Sequence, residues 1–427
     1  MRLPEPPSSR SYGEPVYVDH DPVYRRRRRV ALAIVVLVVL VLYGGGRLLL
    51  GGDESADATP RSAAAPAAAS VEQAAPPVQP AAKQGKEAPS AQSDLVRVQR
   101  ITGGLTPKSV VASPSGLLFA QNMMYSHTAT VYSPDGARVR TIDDAVDLSA
   151  HGVKGHPGTS KGAPVEMAFS PDGSRAYVSN YSMYGEGFEP EGKDACTSPK
   201  GISNSYLYDI STSTFEIERV IEVGAVPKYV AVTPNGSTIL VSNWCSMDVT
   251  VIDAASGKVT ASIPTGGKHP RGIAVSPDSK TAYVTVMGSD RTVAIDLASQ
   301  GVRELVDTGD KPRHVVTSPD GTYLYITNSG SSTVSKVEAA TGKVVAEVRT
   351  AADPRSTAIS PDGGALYVVE YGASQVSKIT TADMKVVDSE STDGLPIGIT
   401  YEPTKKRVWV ACYSGSLVVF DDSRAAA

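Results

Sequence analysis

Pro270-Arg-Gly-Ile-Ala-Val-Ser-Pro277, followed by Asp278, is the stretch that decides the fold, because the chain repeats it. The pattern is a proline, two variable residues, three mostly apolar residues, Ser or Thr, and a second proline, often followed by Asp-Gly. It starts at Pro107, Pro164, Pro227, Pro270, Pro312, Pro354 and Pro396, which makes seven copies. Successive first prolines lie 57, 63, 43, 42, 42 and 42 residues apart. A period of about 40 to 45 residues with four strands in each is the mark of propeller blades. The spacing therefore predicts an all-β, seven-bladed β-propeller with two insertions near its start.

Within one period, residues 272–276 read as a short inner strand, 277–279 as a turn and 282–286 as an alternating second strand, with 291–296 and 302–306 forming a hairpin. Asp209, Asp253, Asp296 and Asp421 close third strands and read as turn formers that accept backbone hydrogen bonds. Ser133-Pro-Asp-Gly136 copies the motif but follows Thr130-Val-Tyr132, so it is a turn between third and fourth strands and not an eighth blade. The last repeat ends at its third strand, 417–420. Residues 95–101 match the fourth strand 259–263, so the N-terminal strand is expected to complete blade seven and remove the open sheet edges.

Composition agrees with many short strands and tight turns: 38 glycines, 30 prolines and 5 phenylalanines in 427 residues. A net charge of -4 gives no global attraction to nucleic acid or anionic membranes, so binding of either kind needs a local patch. Before the repeats, residues 1–29 are rich in proline and arginine and read as a disordered cytoplasmic tail. Residues 30–50 reach the length of a spanning helix behind the run Arg25 to Arg29, which predicts a transmembrane signal anchor with the propeller outside the cytoplasm. Cleavage after export is the alternative, with Ala56-Asp57-Ala58 as an A-x-A site. Residues 51–93 form an Ala/Pro-rich linker, 94–422 the propeller and 423–427 a disordered tail.

The second strands Tyr177-Val-Ser-Asn180, Tyr283-Val-Thr-Val286 and Tyr325-Ile-Thr-Asn328 resemble the YVTN-type propeller repeat family, over about residues 95–422. The resemblance implies the scaffold, and a scaffold of this kind does not imply an activity. A similar exported bacterial branch, the YncE-like proteins, is associated with single-stranded DNA, so it implies a membrane-anchored bacterial member with single-stranded nucleic acid as a possible partner. Lactonase-type seven-bladed enzymes look similar, but none of their catalytic signature is found here.

Fourth-to-first and second-to-third connections emerge on one face of a propeller, and both insertions, 143–163 and 181–204, fall there. The same face carries Lys108, Lys228, Arg271, Arg313 and Arg355, each directly after a repeat proline, while Val165 and Ile397 interrupt the series. Five cations near one mouth repel one another unless an anion, or carboxylates such as Glu166, Glu370 and Asp290, offset them. An anion-binding mouth and a set of structural ion pairs are both open readings. Trp244, Tyr371, Tyr413, Tyr125, Tyr181 and Tyr184 add stacking platforms, a combination suited to single-stranded nucleic acid or glycans.

Cys196 and Cys245 are placed to form a disulfide pinning the long loop, and Cys412 reads as a buried small residue. His127, His151, His156, His269 and His314 show no recurring ligand spacing, so no metal site and no cofactor is implied. The leading expectation is a membrane-tethered binding module for an anionic or polymeric partner, a glycan, nucleic acid or envelope protein, through these cations, Trp244, Tyr371, Tyr413 and His314. Two alternatives are a hydrolase or lyase using Glu166, His269 or His314, and a structural spacer in an envelope assembly.

Overall fold

The computed structural model describes residues 89–189 and 194–425. Among them, seven four-stranded antiparallel sheets follow the seven repeats, and the first strands touch in sequence until that of blade seven meets that of blade one. The ring is closed. Blade four shows the plan, with strands Pro270–Val275, Thr281–Val286, Arg291–Asp296 and Val302–Val306 from the centre outwards. The first strand starts at the repeat proline itself, two residues earlier than the hydrophobic pattern suggests.

The core lies between neighbouring blades. Trp409 and Ala411 of blade seven pack on Leu118, Ala120 and Tyr132 of blade one, all fully buried. The repeat motif itself builds one end of the ring. In Ser318-Pro-Asp-Gly321 the Ser318 hydroxyl donates to Asp320 and accepts from the Tyr323 amide, while Asp320 accepts from Thr322. Gly321 takes a φ of +74° against Pro277 of the preceding blade, and Gly173, Gly236 and Gly363 repeat that seat against Pro114, Pro171 and Pro319.

Ser93–Ile101 pairs antiparallel with Ser416–Ala425 as the outer strand of blade seven. That pairing carries the last strand to Ala425, past the domain end expected at 422. A buried clasp holds the closure: Lys378 donates to the Ser93 carbonyl and hydroxyl and to Asp422 at 2.5 Å, and the Tyr367 hydroxyl donates to the other Asp422 oxygen. Ser90 joins it through Ser360 and Asp362.

Asp253 and Asp296 accept from Ser256 and Ser299 in their turns, as expected. Asp209 differs. It is fully buried between Arg175 and Arg219, so the charge ties the second, third and fourth strands of blade two together rather than shaping a turn. The first insertion contains a small hairpin, Ala145–Asp147 with Thr159–Lys161. Asp144 at its base is buried, neither carboxylate oxygen has a hydrogen-bond partner, and burial raises its pKa to about 8, with Lys161 opposing the shift.

The tail 1–29, the expected span 30–50 and the linker up to residue 88 lie outside the described residues, and among the described residues no helix is long and apolar enough to cross a membrane.

Candidate functional site: a cation-lined mouth

The position after the repeat proline is special in its backbone. In blades two to seven the first strand slips register just past the proline, as between Pro227 and Tyr229 or Pro312 and His314. Lys228, Arg271, Arg313 and Arg355 therefore occupy β-bulges, devices that re-aim a side chain. In blades three to seven the bulge follows a residue in left-handed conformation, Val226, His269, Lys311, Asp353 or Leu395, with φ between 54° and 61°. The cations are thereby recessed at the centre of the ring. Lys108, Lys228, Arg271 and Arg313 are all at least nine-tenths buried, and the Arg355 side chain keeps 15 % of its exposure.

Their charges act on one another. Lys108 is held well below its ordinary pKa by burial first, then by repulsion from Arg271 and Arg313. Arg313 is lowered by burial and by Arg271 and Arg355 in turn. Among the described residues, two of the five cations have an ion-pair partner: Lys228 donates to Asp194 at 2.6 Å and Arg355 to Asp353 at 2.8 Å. Among the described residues no carboxylate reaches ion-pair distance of Lys108, Arg271 or Arg313, and the polar contact of Arg313 is the Met287 sulfur at 3.8 Å. Glu166 lies within electrostatic reach of Lys108, and burial raises its own pKa to about 7.

The counter-charges differ from those the sequence suggested. Glu370 is fully buried and accepts from the Ala351 amide. In that role it replaces the asparagine that other blades use at the end of the second strand, such as Asn122 accepting from Thr106. Asp290 accepts from the Lys311 amide and takes no part in the mouth. Asp194 takes the role instead, brought in by the second insertion. Its side chain keeps 58 % of its exposure, and Lys228, Arg271 and the Tyr181 hydroxyl hold its pKa well below the usual carboxylate range. No local motif marks it, since its partners lie 13 to 50 residues away.

A network fixes that insertion. Cys196 and Cys245 form a disulfide. Trp244 donates to the Asp194 carbonyl at 2.8 Å and stacks on His269 at 4.3 Å, and His269 donates to the Cys196 carbonyl. Lys228 lies over the Tyr181 ring at 4.3 Å and near Trp244, with Arg271 5.9 Å from the same indole. On the opposite side Arg355 stacks over Tyr371 at 3.4 Å, and Tyr413 packs edge-on to Tyr371. The five cations and Trp244, Tyr371 and Tyr413 thus gather at one opening. Tyr125 is 69 % exposed, and Tyr184 packs on His127. Beside blade two, the insertions frame an open groove of about 660 Å³ that includes Lys154, His156 and Phe188.

His314 sits one residue deeper than Arg313. Its Nε2 is 3.0 Å from the Tyr229 hydroxyl, a contact between blades three and five that passes over Gly272 of blade four. A Cβ on Gly272 would approach the His314 Cα to 2.9 Å, so the bare backbone there is what lets the first strands of blades four and five lie this close. Nδ1 faces the Thr357 amide at 3.4 Å, which places the proton on Nε2, donating to Tyr229. Burial, then Arg271, Arg313 and Lys108, push His314 down to about 3, so it is neutral at physiological pH. Among the described residues no hydrogen bond joins Glu166, His269 and His314 to one another. Among the described residues no three His, Cys, Asp or Glu side chains gather to hold a metal.

Residues 259–424 match a family model described as a YNCE-like beta-propeller. Among solved structures, hydrazine synthase of Kuenenia stuttgartiensis is similar, with a TM-score of 0.59 at 21% identity over 75% of this chain and 97% of that one. That likeness carries the fold alone. No curated protein matches the chain.

Proposed function

We propose that this propeller is a binding module that holds an anionic ligand in the cation-lined mouth. The observation that supports it most is the burial of Lys108, Arg271 and Arg313 with no carboxylate at ion-pair distance among the described residues. Removing charged groups from water costs several kcal/mol each unless an opposite charge completes the site. Three mutually repelling cations, two of them, Arg271 and Arg313, at bulges, are the kind of arrangement that a ligand's charge would complete.

The tether belongs to the same reading: residues 30–50 would anchor the chain and hold the mouth outside the cytoplasm, facing an envelope protein, a glycan or a nucleic acid. The Cys196–Cys245 disulfide suits an oxidising compartment. A titration of the full chain with phosphate, sulfate, polyphosphate and oligothymidylate at low and high salt tests the proposal. At least one anion should bind and weaken as salt rises, because screening reaches charges near a surface opening. No binding by any of the four would end this reading.

A further inference from the structure

We infer that Asp194 is a specificity-determining residue of the mouth: a carboxylate supplied by the protein itself, it fills the Lys228 corner, confines an incoming anion to Lys108, Arg271 and Arg313, and discriminates against anions of higher charge. This rests on the anion-binding reading and deepens it, because it assigns the selectivity of that site to one residue.

The first observation is where the carboxylate stands. Asp194 lies 2.6 Å from the Lys228 ammonium, yet more than half of its side chain is exposed while the Lys228 side chain keeps 4 % of its exposure. The acid therefore covers the ammonium from the solvent side, and an anion approaching Lys228 meets a like charge first. Asp194 also acts on Arg271 and Arg313 and offsets part of the charge that both present to a ligand.

The second observation is how firmly it is held. Lys228 and the Tyr181 hydroxyl both donate to Oδ1, at 2.6 and 3.1 Å, and the Trp244 indole donates to the backbone carbonyl at 2.8 Å. Two residues on, Cys196 is bonded to Cys245 and its carbonyl accepts from His269. A carboxylate fixed through both its side chain and its backbone is already ordered, so it holds its place against a free anion.

The third observation is a contrast within the ring. Arg355 takes its counter-charge from Asp353, two residues before it, whereas Lys228 takes its own from 34 residues away, on an insertion tied down by a disulfide. These two paired cations, on blades three and six, flank Arg271 and Arg313 of blades four and five, and Lys108 of blade one lies across the closed ring. The cations without an acid at ion-pair distance among the described residues are thus one set that acts on itself, not a track running round the opening.

Calorimetric titration of the full chain with sulfate and methyl sulfate, tetrahedral anions of double and single charge, tests this. Asp194→Asn should bind sulfate about threefold to tenfold more tightly than the wild type at low salt, and methyl sulfate should gain by a smaller factor, since the repulsion removed scales with the ligand's charge. High salt should shrink both gains. Asp194→Glu keeps the charge and should show little of the gain. Glu304→Gln removes a carboxylate from the outer strand of blade four and should change neither affinity. Near-ultraviolet circular dichroism checks the insertion; if Asp194→Asn disturbs it, Asp194→Ser supplies the same neutral test. No gain with the neutral variant, an equal gain for both anions, or a gain matched by Asp194→Glu or Glu304→Gln overturns the inference and leaves the anion reading standing. If neither anion binds the wild type or the variant, the inference is lost and the anion reading rests on phosphate, polyphosphate and oligothymidylate.

Discussion

The two ends of the ring are built on opposite principles. At the end made by the Ser-Pro-Asp-Gly turns, the turn hydroxyls and carboxylates find partners within about five residues, and glycines carry most of the positive φ angles. At the other end, non-glycine residues carry the left-handed backbone before each proline of blades three to seven, and three buried cations have no ion-pair partner among the described residues. One end satisfies itself; the other is left incomplete. Strain and unpaired charge of this kind concentrate where a protein binds something.

The largest effect that sharpens this contrast lies at the self-satisfied end. Lys378→Ala leaves Asp422 buried beside Tyr367 without its cation, and the closing strand loses the donor to Ser93. Breaking a buried pair on one side costs about 3 to 5 kcal/mol. Urea denaturation should show a loss of that size. Replacing both partners, Lys378→Met with Asp422→Leu, should cost much less, because no buried charge is then orphaned. Equal losses for the single and double variants would mean that the clasp does not act as a pair.

A smaller effect belongs to the incomplete end. Asp144 at the base of the first insertion has its folded pKa raised to about 8, well above the unfolded carboxylate. The folded state therefore holds this proton more tightly. The stability it confers is fully present below the unfolded pKa near 4 and is lost as pH rises through 8. Asp144→Asn should flatten the stability profile between pH 5 and pH 8, a difference of up to about 3 kcal/mol. Parallel profiles for the two proteins would show that Asp144 is ionised and partnered in solution.

The same contrast explains what was legible in the sequence. The motif, its seven copies and the closing strand could be read because turn chemistry and strand pairing are local or periodic. The basic residues could be placed at one mouth because the period puts each of them at the same height. Asp194 could not be read: Lys228, Trp244 and Tyr181 converge on it only once the insertion is folded. Glu370 and Asp290 were misassigned for the same reason, since a carboxylate's partner is set by the loop it meets. His314 was placed near the mouth, but its hydrogen bond to Tyr229 two blades away exists only in the folded ring.

The smallest effect asks whether the self-satisfied end needs its glycines. At Gly321 a Cβ would come within 2.7 Å of the Pro277 ring at a φ of +74°, so Gly321→Ala should cost about 1 to 2 kcal/mol through left-handed strain. Blade four bounds that figure, because Ser279 holds the equivalent position at a φ of 62° and its hydroxyl accepts from the Asn235 amide of blade three. The seat therefore admits a side chain where a hydrogen bond to the neighbouring blade offsets the strain. Ser279→Gly should change stability by less than about 1 kcal/mol, since it relieves the backbone and loses that bond. If thermal melts show Gly321→Ala to be as mild as Ser279→Gly, the proline-to-glycine contact is tolerant packing, and blade-to-blade cohesion at this end rests on the apolar faces instead.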